Sequence, residues 1–355
     1  MTLFTVGPTQ MSPRTLEVSG RQVPYFRNQT FSDVVFDCER LLLKDTYAPE
    51  GSRVIILTAS GTGAMEATII NSLTKHDKAL VIDGGAFGHR FVQMLELHDI
   101  EHTAITLETE EALTAAHLAP YDQKGYTALL VNLDETSTGQ LYDLTMLADF
   151  VRRNNLLFIV DAISAFGADH IDMTEAGIDA LIMSSQKALA LSPGISIVVM
   201  SPRMLERVEN AETTCMYFDF KDALKNGDRG QTPFTPAVGI IYELQDRLHE
   251  IEEAGGIEAE VSRTAALAAD FRARLEGTGI TTSSFPKSNA VTRILFERPI
   301  AAQVNAHLIE KYGFTLNPSG GKLGEYGSRV AHIGYLSERD NEALVAALVE
   351  TLKEV

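Results

Sequence analysis

A chain of 355 residues with 45% hydrophobic content and mean hydropathy near zero can bury one large domain and a smaller one. With 30 basic against 48 acidic residues the formal charge is −18, a field that repels nucleic acid and anionic membrane. Only Cys38 and Cys215 occur, so there is no disulfide framework and no CxxC spacing, as suits a reducing cytoplasm, and no metal site is assigned.

Met1 to Pro8 lacks the basic and apolar regions of a signal peptide, and no apolar run approaches the length of a bilayer span. A cytoplasmic protein with neither nucleic acid nor membrane as partner is expected. Short apolar runs then recur between helical patterns: Val54–Leu57, Ala79–Ile82, Ala128–Val131, Leu156–Val160, Ala180–Met183 and Ile195–Val199. Their apolarity is continuous rather than alternating, which predicts strands buried on both faces of a mainly parallel sheet. Helical spacing fits Gly63–Leu73, Phe87–Leu97 and Leu144–Arg153, so the first part reads as a doubly wound α/β domain.

After Pro236 the pattern changes. Helical stretches from Val238 towards Glu253 and from Ile257 to Leu275 flank Gly255-Gly256. A strand over Ala290–Phe296, a helix over Ala301–Lys311, a strand over Arg329–Ile333 and a helix over Glu338–Leu352 follow. This predicts a second α+β domain beginning between 257 and 285. The organisation expected is an N-terminal arm over 1–20, a large domain over 21–262 and a small domain over 263–355.

In open α/β sheets, ligands gather at the carboxyl ends of strands. The polar residues ending the apolar runs are Thr58 to Gly63, Asn132 to Gly139, Asp161, and Ser184 to Lys187. The loop at Ser60-Gly61-Thr62-Gly63 suits a phosphate cradle at a helix N-terminus. It fails the dinucleotide fingerprint because Glu66 stands at the third glycine position, and it fails the Walker A pattern because no Gly-Lys-Ser/Thr follows. Taken singly, each feature has an ordinary explanation: a tight turn, a helix cap at Asp161, a solvated lysine at Lys187. Together, an amine, an acid and a phosphate cradle at one sheet edge are the parts that pyridoxal phosphate (PLP) demands.

These residues resemble the class V, fold-type I PLP aminotransferases, of the alanine–glyoxylate, serine–pyruvate and 2-aminoethylphosphonate–pyruvate group. The resemblance covers nearly the whole chain: Val6-Gly7-Pro8, Ser60 to Ala67, Glu135-Thr136-Ser137-Thr138-Gly139, Asp161 to Ser164, Ser185-Gln186-Lys187-Ala188-Leu189 and Arg329 to Gly334. It implies a mainly parallel seven-stranded sheet between helices, a smaller C-terminal α+β domain and PLP as cofactor. Lys187 matches the lysine that carries the cofactor as a Schiff base and shuttles the proton, and Asp161 the partner of the pyridine nitrogen. Ser60, Gly61, Thr62 and Gln186 match phosphate-binding positions, and Ile163 joins the cofactor-binding set. Phe87 falls at the ring-stacking position, although an ordinary core aromatic reads the same way. Ser137 matches a position near the cofactor's phenolic oxygen, with Thr136 an equally plausible donor.

On the substrate side, Arg329 matches the arginine that clamps an acid group, a task suited to its planar fork. The family's usual Arg-Ile-Gly reads Arg329-Val330-Ala331 here. His332 reads as a packing histidine turned away from Arg329. Gly7 and Arg27 belong to N-terminal segments lining the entrance, although Arg27 also fits a surface ion pair. The resemblance further implies a homodimer with shared sites, in which Thr235 of Thr232-Pro233-Phe234-Thr235-Pro236 reaches across to the phosphate.

The expected reaction is a ping-pong transamination between a small amino donor (alanine, serine or 2-aminoethylphosphonate) and a small 2-oxo acid (pyruvate or glyoxylate). A desulfurase is disfavoured: neither cysteine lies in a Gly/Ser-rich loop of the late chain, and both read better as buried small hydrophobes. Another PLP reaction on the same fold, or a non-catalytic PLP-binding protein, remains the alternative.

Overall fold

The computed structural model describes residues 1–355, apart from the side chain of Lys322. Seven strands pair in the order Arg53–Leu57, Ser196–Met200, Ala180–Ser184, Leu157–Asp161, Ala128–Asn132, Lys78–Asp83 and Glu101–Thr106. Ser196–Met200 runs antiparallel to both neighbours, and the remaining pairings are parallel. Four of these strands are buried at every residue, as their unbroken apolar runs require. Alternate side chains enter opposite layers: Leu129, Val131, Phe158 and Val160 join one core, Leu130, Ile159 and Ile182 the other. Each such buried side chain contributes about 1.5–3 kcal/mol.

The edge strand Glu101–Thr106 escapes a search for apolar runs because only Ile105 along it is buried. The helix Gln29–Asp45 also lacks a sequence assignment above. Asn28 caps its first turn by accepting from Phe31 N, and its buried stripe of Phe31, Val34, Cys38 and Leu41 packs into the first core.

The chain leaves Lys78–Asp83 outward to Glu101–Thr106, but leaves Ala128–Asn132 in the other direction to Leu157–Asp161. The loops after Asp83 and Asn132 therefore diverge at a topological switch point, where a crevice opens.

A second sheet of four antiparallel strands orders Thr281–Thr282, Val291–Leu295, Gly327–Ala331 and Asn317–Pro318. Its core includes Phe271, Ile294, Val330, Leu344 and Leu348, drawn partly from the helices Ile257–Arg274 and Glu338–Glu354. The helix Ile257–Arg274 is continuous through 262–263, with Ile257 in the first core and Phe271 in this one. Gly255 and Gly256, at φ +111° and +85°, make the turn before it, a conformation that L side chains rarely adopt. At the other end of the chain, Thr2–Leu3 pairs in parallel with Phe314–Thr315.

Candidate active site

Asp161 ends its strand beside Ile182 of the neighbouring strand, and Lys187 follows that neighbour by one turn of loop. Asp161 is buried; Oδ1 accepts from Ile163 N at 2.8 Å, and among the described residues Oδ2 takes no hydrogen bond. Burial pushes its carboxyl up to about 7, held in check by the Ile163 N–H and the charge of Lys187. Lys187 is the converse case. Burial draws its amine down to about 8, against the opposing pull of Asp134 and Asp161 and with help from Arg329. Among the described residues its Nζ has no hydrogen bond and no ion pair; it lies 5.8 Å from the centroid of the Phe87 ring. An unpaired amine and an open carboxylate oxygen, both buried, each cost folding energy, which a ligand offering an electrophile and a cation would return.

The N-terminal segment fixes the lysine loop. Thr9 donates through N to Gln186 O at 3.2 Å and through Oγ1 to Lys187 O at 2.9 Å. Val6 N donates to Asn317 Oδ1 at 2.6 Å, and Ala331 N donates to Phe4 O, so the same segment is stitched to the small sheet. Gly7 faces the lysine: a Cβ there would stand 2.9 Å from Lys187 Cδ and Cε and 3.1 Å from Nζ. A methyl group at this point displaces a flexible side chain rather than backbone. Gly7 also holds φ +157°, a conformation that strains an L side chain, so Gly7→Ala should cost about 1–3 kcal/mol of stability and lower kcat roughly 10- to 100-fold through misplacement of Nζ. A wild-type melting temperature or a wild-type kcat in paired melting and rate measurements would contradict this.

The helix Gly61–Ser72 begins beside both residues. Ser60 caps it, accepting from Gly63 N at 3.4 Å. Gly61 is buried against Ile163 Cδ1, where a Cβ would collide. Thr62 Oγ1 accepts from Arg90 Nη1 at 2.7 Å. Gln186 Oε1 accepts from Ser184 Oγ at 2.6 Å, which leaves its amide N–H groups unbonded among the described residues. Exposed N–H groups at a helix start, with an arginine behind them, suit a phosphate dianion.

Phe87 sits at the start of the helix Ala86–Leu97, at the switch point. The buried Glu135 carboxylate holds this start, accepting from Phe87 N at 3.2 Å, Gly88 N at 3.0 Å and Asn132 Nδ2 at 2.9 Å. It also accepts from Ser137 N at 3.1 Å and Ser137 Oγ at 2.5 Å. Ser137 Oγ in turn accepts from Ala86 N at 3.1 Å, so its hydroxyl is engaged in the cap. Thr136 Oγ1 pairs with Ser164 Oγ at 2.8 Å. Arg90, one turn after Phe87, lays its guanidinium 5.0 Å from that ring's centroid. Sequence reasoning left out Glu135, Arg90 and Thr9 as individual residues. Glu135 opens the Glu135–Gly139 motif and Thr9 adjoins Val6-Gly7-Pro8, whereas Arg90 carries no local signal beyond its i,i+3 spacing from Phe87.

Arg329 reaches the same region from the small sheet. Its Nε and Nη2 donate to Pro318 O at 3.2 and 3.0 Å and its Nη1 to Thr136 O at 3.0 Å. Carbonyls orient the fork but no carboxylate neutralises it among the described residues, and burial draws its pKa down. His332 points the other way: Nε2 meets Thr292 Oγ1 at 2.8 Å, the ring packs on Phe271, and burial keeps it well below the usual histidine range.

Two expected residues are not drawn into this cluster. Arg27 donates to Thr232 O at 2.6 Å and Pro233 O at 3.2 Å and lies over Phe26, so it braces the 231–233 loop rather than forming a surface ion pair. Thr235 is exposed, beside Tyr25 and Pro236 on an open cleft, and its hydroxyl makes no hydrogen bond among the described residues. Of the cysteines, Cys38 is fully buried, whereas Cys215 is half-buried and less a core hydrophobe than its residue type suggested.

Residues 35–323 match the family described as aminotransferase class-V. The chain is 32% identical over 330 residues to a 2-aminoethylphosphonate–pyruvate transaminase of Pseudomonas aeruginosa, covering 90% of this chain and 87% of that protein. It is 28% identical over 350 residues to an L-aspartate–glyoxylate aminotransferase of Paracoccus denitrificans, covering 95% and 87%. Among solved structures, a Thermus thermophilus aspartate aminotransferase superposes over 100% of both chains with TM-score 0.92 and 26% identity. Sheet order, strand-end chemistry and these likenesses agree: the chain belongs to the class-V aminotransferases, with the fold-type I architecture.

Proposed function

We propose that the protein binds pyridoxal phosphate on Lys187 and transfers an amino group between a small donor and a small 2-oxo acid. The observation that carries this reading is the pairing of an unbonded amine with an open, buried carboxylate oxygen at the ends of adjacent strands. When bound, the cofactor supplies an aldehyde that takes the donor's nitrogen and a cationic ring that accepts the electron pair freed at the donor carbon. Asp161 holds the proton on the ring nitrogen, since a carboxylate raised to about 7 by burial ionises fully once a cation sits against it. Ser60, Gly61, Thr62 and Gln186 hold the phosphate, Ile163 supports one face of the ring and Phe87 covers the other. Thr136 and Ser137 shape the edge carrying the phenolic oxygen.

Lys187, its amine drawn down to about 8, would take the proton from the donor carbon through Nζ and pass it to the cofactor's aldehyde carbon, and would carry it in the reverse direction in the second half-reaction. Arg329 grips the acid group of donor and acceptor in turn, Gly7 leaving the room Nζ needs. Each half-reaction releases its product before the next substrate enters, which gives ping-pong kinetics. We further propose a homodimer with a large unit over 21–262, a small unit over 263–355 and an arm over 1–20. The exposed Val23 and Tyr25 on the Thr235 cleft, and the exposed Tyr217 stacked on Phe234, support such a pairing, which would place Thr235 at the partner's phosphate and Arg27 behind the loop that carries it.

The test is a half-reaction screen. Alanine, serine, 2-aminoethylphosphonate, aspartate and glutamate are each mixed with the PLP-loaded protein, and the visible absorbance is followed. Bleaching by a small donor, restored by pyruvate or glyoxylate, is the expected result; absorbance that no donor bleaches would favour a binding-only role.

A further inference from the structure

Beside the Lys187 cluster, a cavity of about 400 Å³ opens along the Gly85–Ala86 and Ser137–Thr138 segments. An arginine, Arg293, lines it. Arg293 on Val291–Leu295 stands directly opposite Arg329 in the antiparallel register, and opposed residues of this kind project from one face with Cβ atoms about 4.5–5.5 Å apart. The two forks differ in their company. Arg329 is held by carbonyls alone, whereas Arg293, only 4% exposed, is ion-paired with Glu110. Its Nε and Nη2 also donate to Ser283 Oγ at 3.1 and 2.8 Å, and Ser283 Oγ donates to Glu110 Oε1 at 3.2 Å.

Glu110 comes from the loop after the edge strand and adopts φ +67°, an uncommon conformation for a residue with a side chain. A buried guanidinium without a partner is costly, and the Glu110 carboxylate supplies one to Arg293. Asp83, Glu108 and Glu111 line the same cavity, Asp83 paired with His89 and Glu111 with His117.

We propose that Glu110 occupies the place on Arg293 that a substrate's second acid group would take, so the site selects donors with one acid group and disfavours dicarboxylates. The proposal rests on reading Lys187 and Arg329 as the reaction centre. A tethered carboxylate competes at high effective concentration with any diffusing one. Arg329 is then the one fork of the pair left for a substrate.

The test compares the PLP-loaded wild type with Glu110→Ala and Glu110→Gln. The ratio of kcat/KM for aspartate to that for alanine should rise roughly ten-fold or more in Glu110→Ala, and less in Glu110→Gln, which keeps the bulk. Calorimetry with succinate and propionate gives a second readout: the wild type should bind propionate at least as tightly as succinate, and Glu110→Ala should reverse the order. An unchanged aspartate-to-alanine ratio, or wild-type protein that prefers succinate, overturns the proposal. Were neither amino acid turned over, the reaction assigned to Lys187 would fall, while the succinate-to-propionate order would still decide the role of Glu110.

Discussion

Replacing Lys187 with alanine should lower transamination by roughly 10⁴-fold or more and remove the visible absorbance that the PLP-loaded wild type shows. The loss should not come from unfolding. The amine is drawn down to about 8 by burial and has no hydrogen bond among the described residues, so it opposes folding. Between about pH 8 and its ordinary 10.5 the unfolded chain binds the proton that the folded chain has lost. Cofactor-free wild type therefore gains stability as pH rises through that window, and Lys187→Ala should lack the gain. Rates, absorbance and melting curves from pH 7 to 10 check all three; a variant that transaminates at wild-type rates contradicts the role given to this residue.

Asp161→Asn should also separate function from stability, with the opposite pH dependence. The carboxyl rises from 3.8 to about 7 because burial penalises its charge. Across that window the folded state holds a proton that the unfolded state has released, so cofactor-free protein loses stability as pH climbs from about 4 to about 7. Asparagine keeps an oxygen for Ile163 N and carries no charge. At pH 8 the cofactor-free variant should be more stable by roughly 1–2 kcal/mol, below the full value of the shift at 1.36 kcal/mol per unit. Catalysis should fall about 10²- to 10³-fold, as expected when a group that stabilises developing charge is lost. Denaturant melts of the cofactor-free protein and kcat of the loaded protein test the two halves; a destabilised but fully active variant would refute both.

Much of this site was legible because buried parallel strands leave unbroken apolar runs, and the polar residues ending them must do something. Asp161, Lys187 and the Ser60–Gly63 loop stand out for that reason alone, and the motifs around them supplied the family. What the residues could not show was which partners each side chain would find. The Ser137 hydroxyl is engaged with Glu135 and Ala86, a fact set by the switch-point crevice and not by the Glu-Thr-Ser-Thr-Gly spacing. Arg27 turned to backbone carbonyls, a contact spanning some 205 positions in sequence. The Arg293–Glu110 pair joins a strand of the small sheet to the loop after the large sheet's edge strand across a similar gap, and that edge strand buries too little for its pattern to be seen.

The most direct test is to trap the PLP-loaded protein with borohydride, digest it and map the cofactor's mass to a peptide. The cofactor should be found on Lys187 Nζ. A cofactor mass carried by another lysine, or a Lys187 peptide that stays unmodified while the protein keeps its colour, would contradict the site described above.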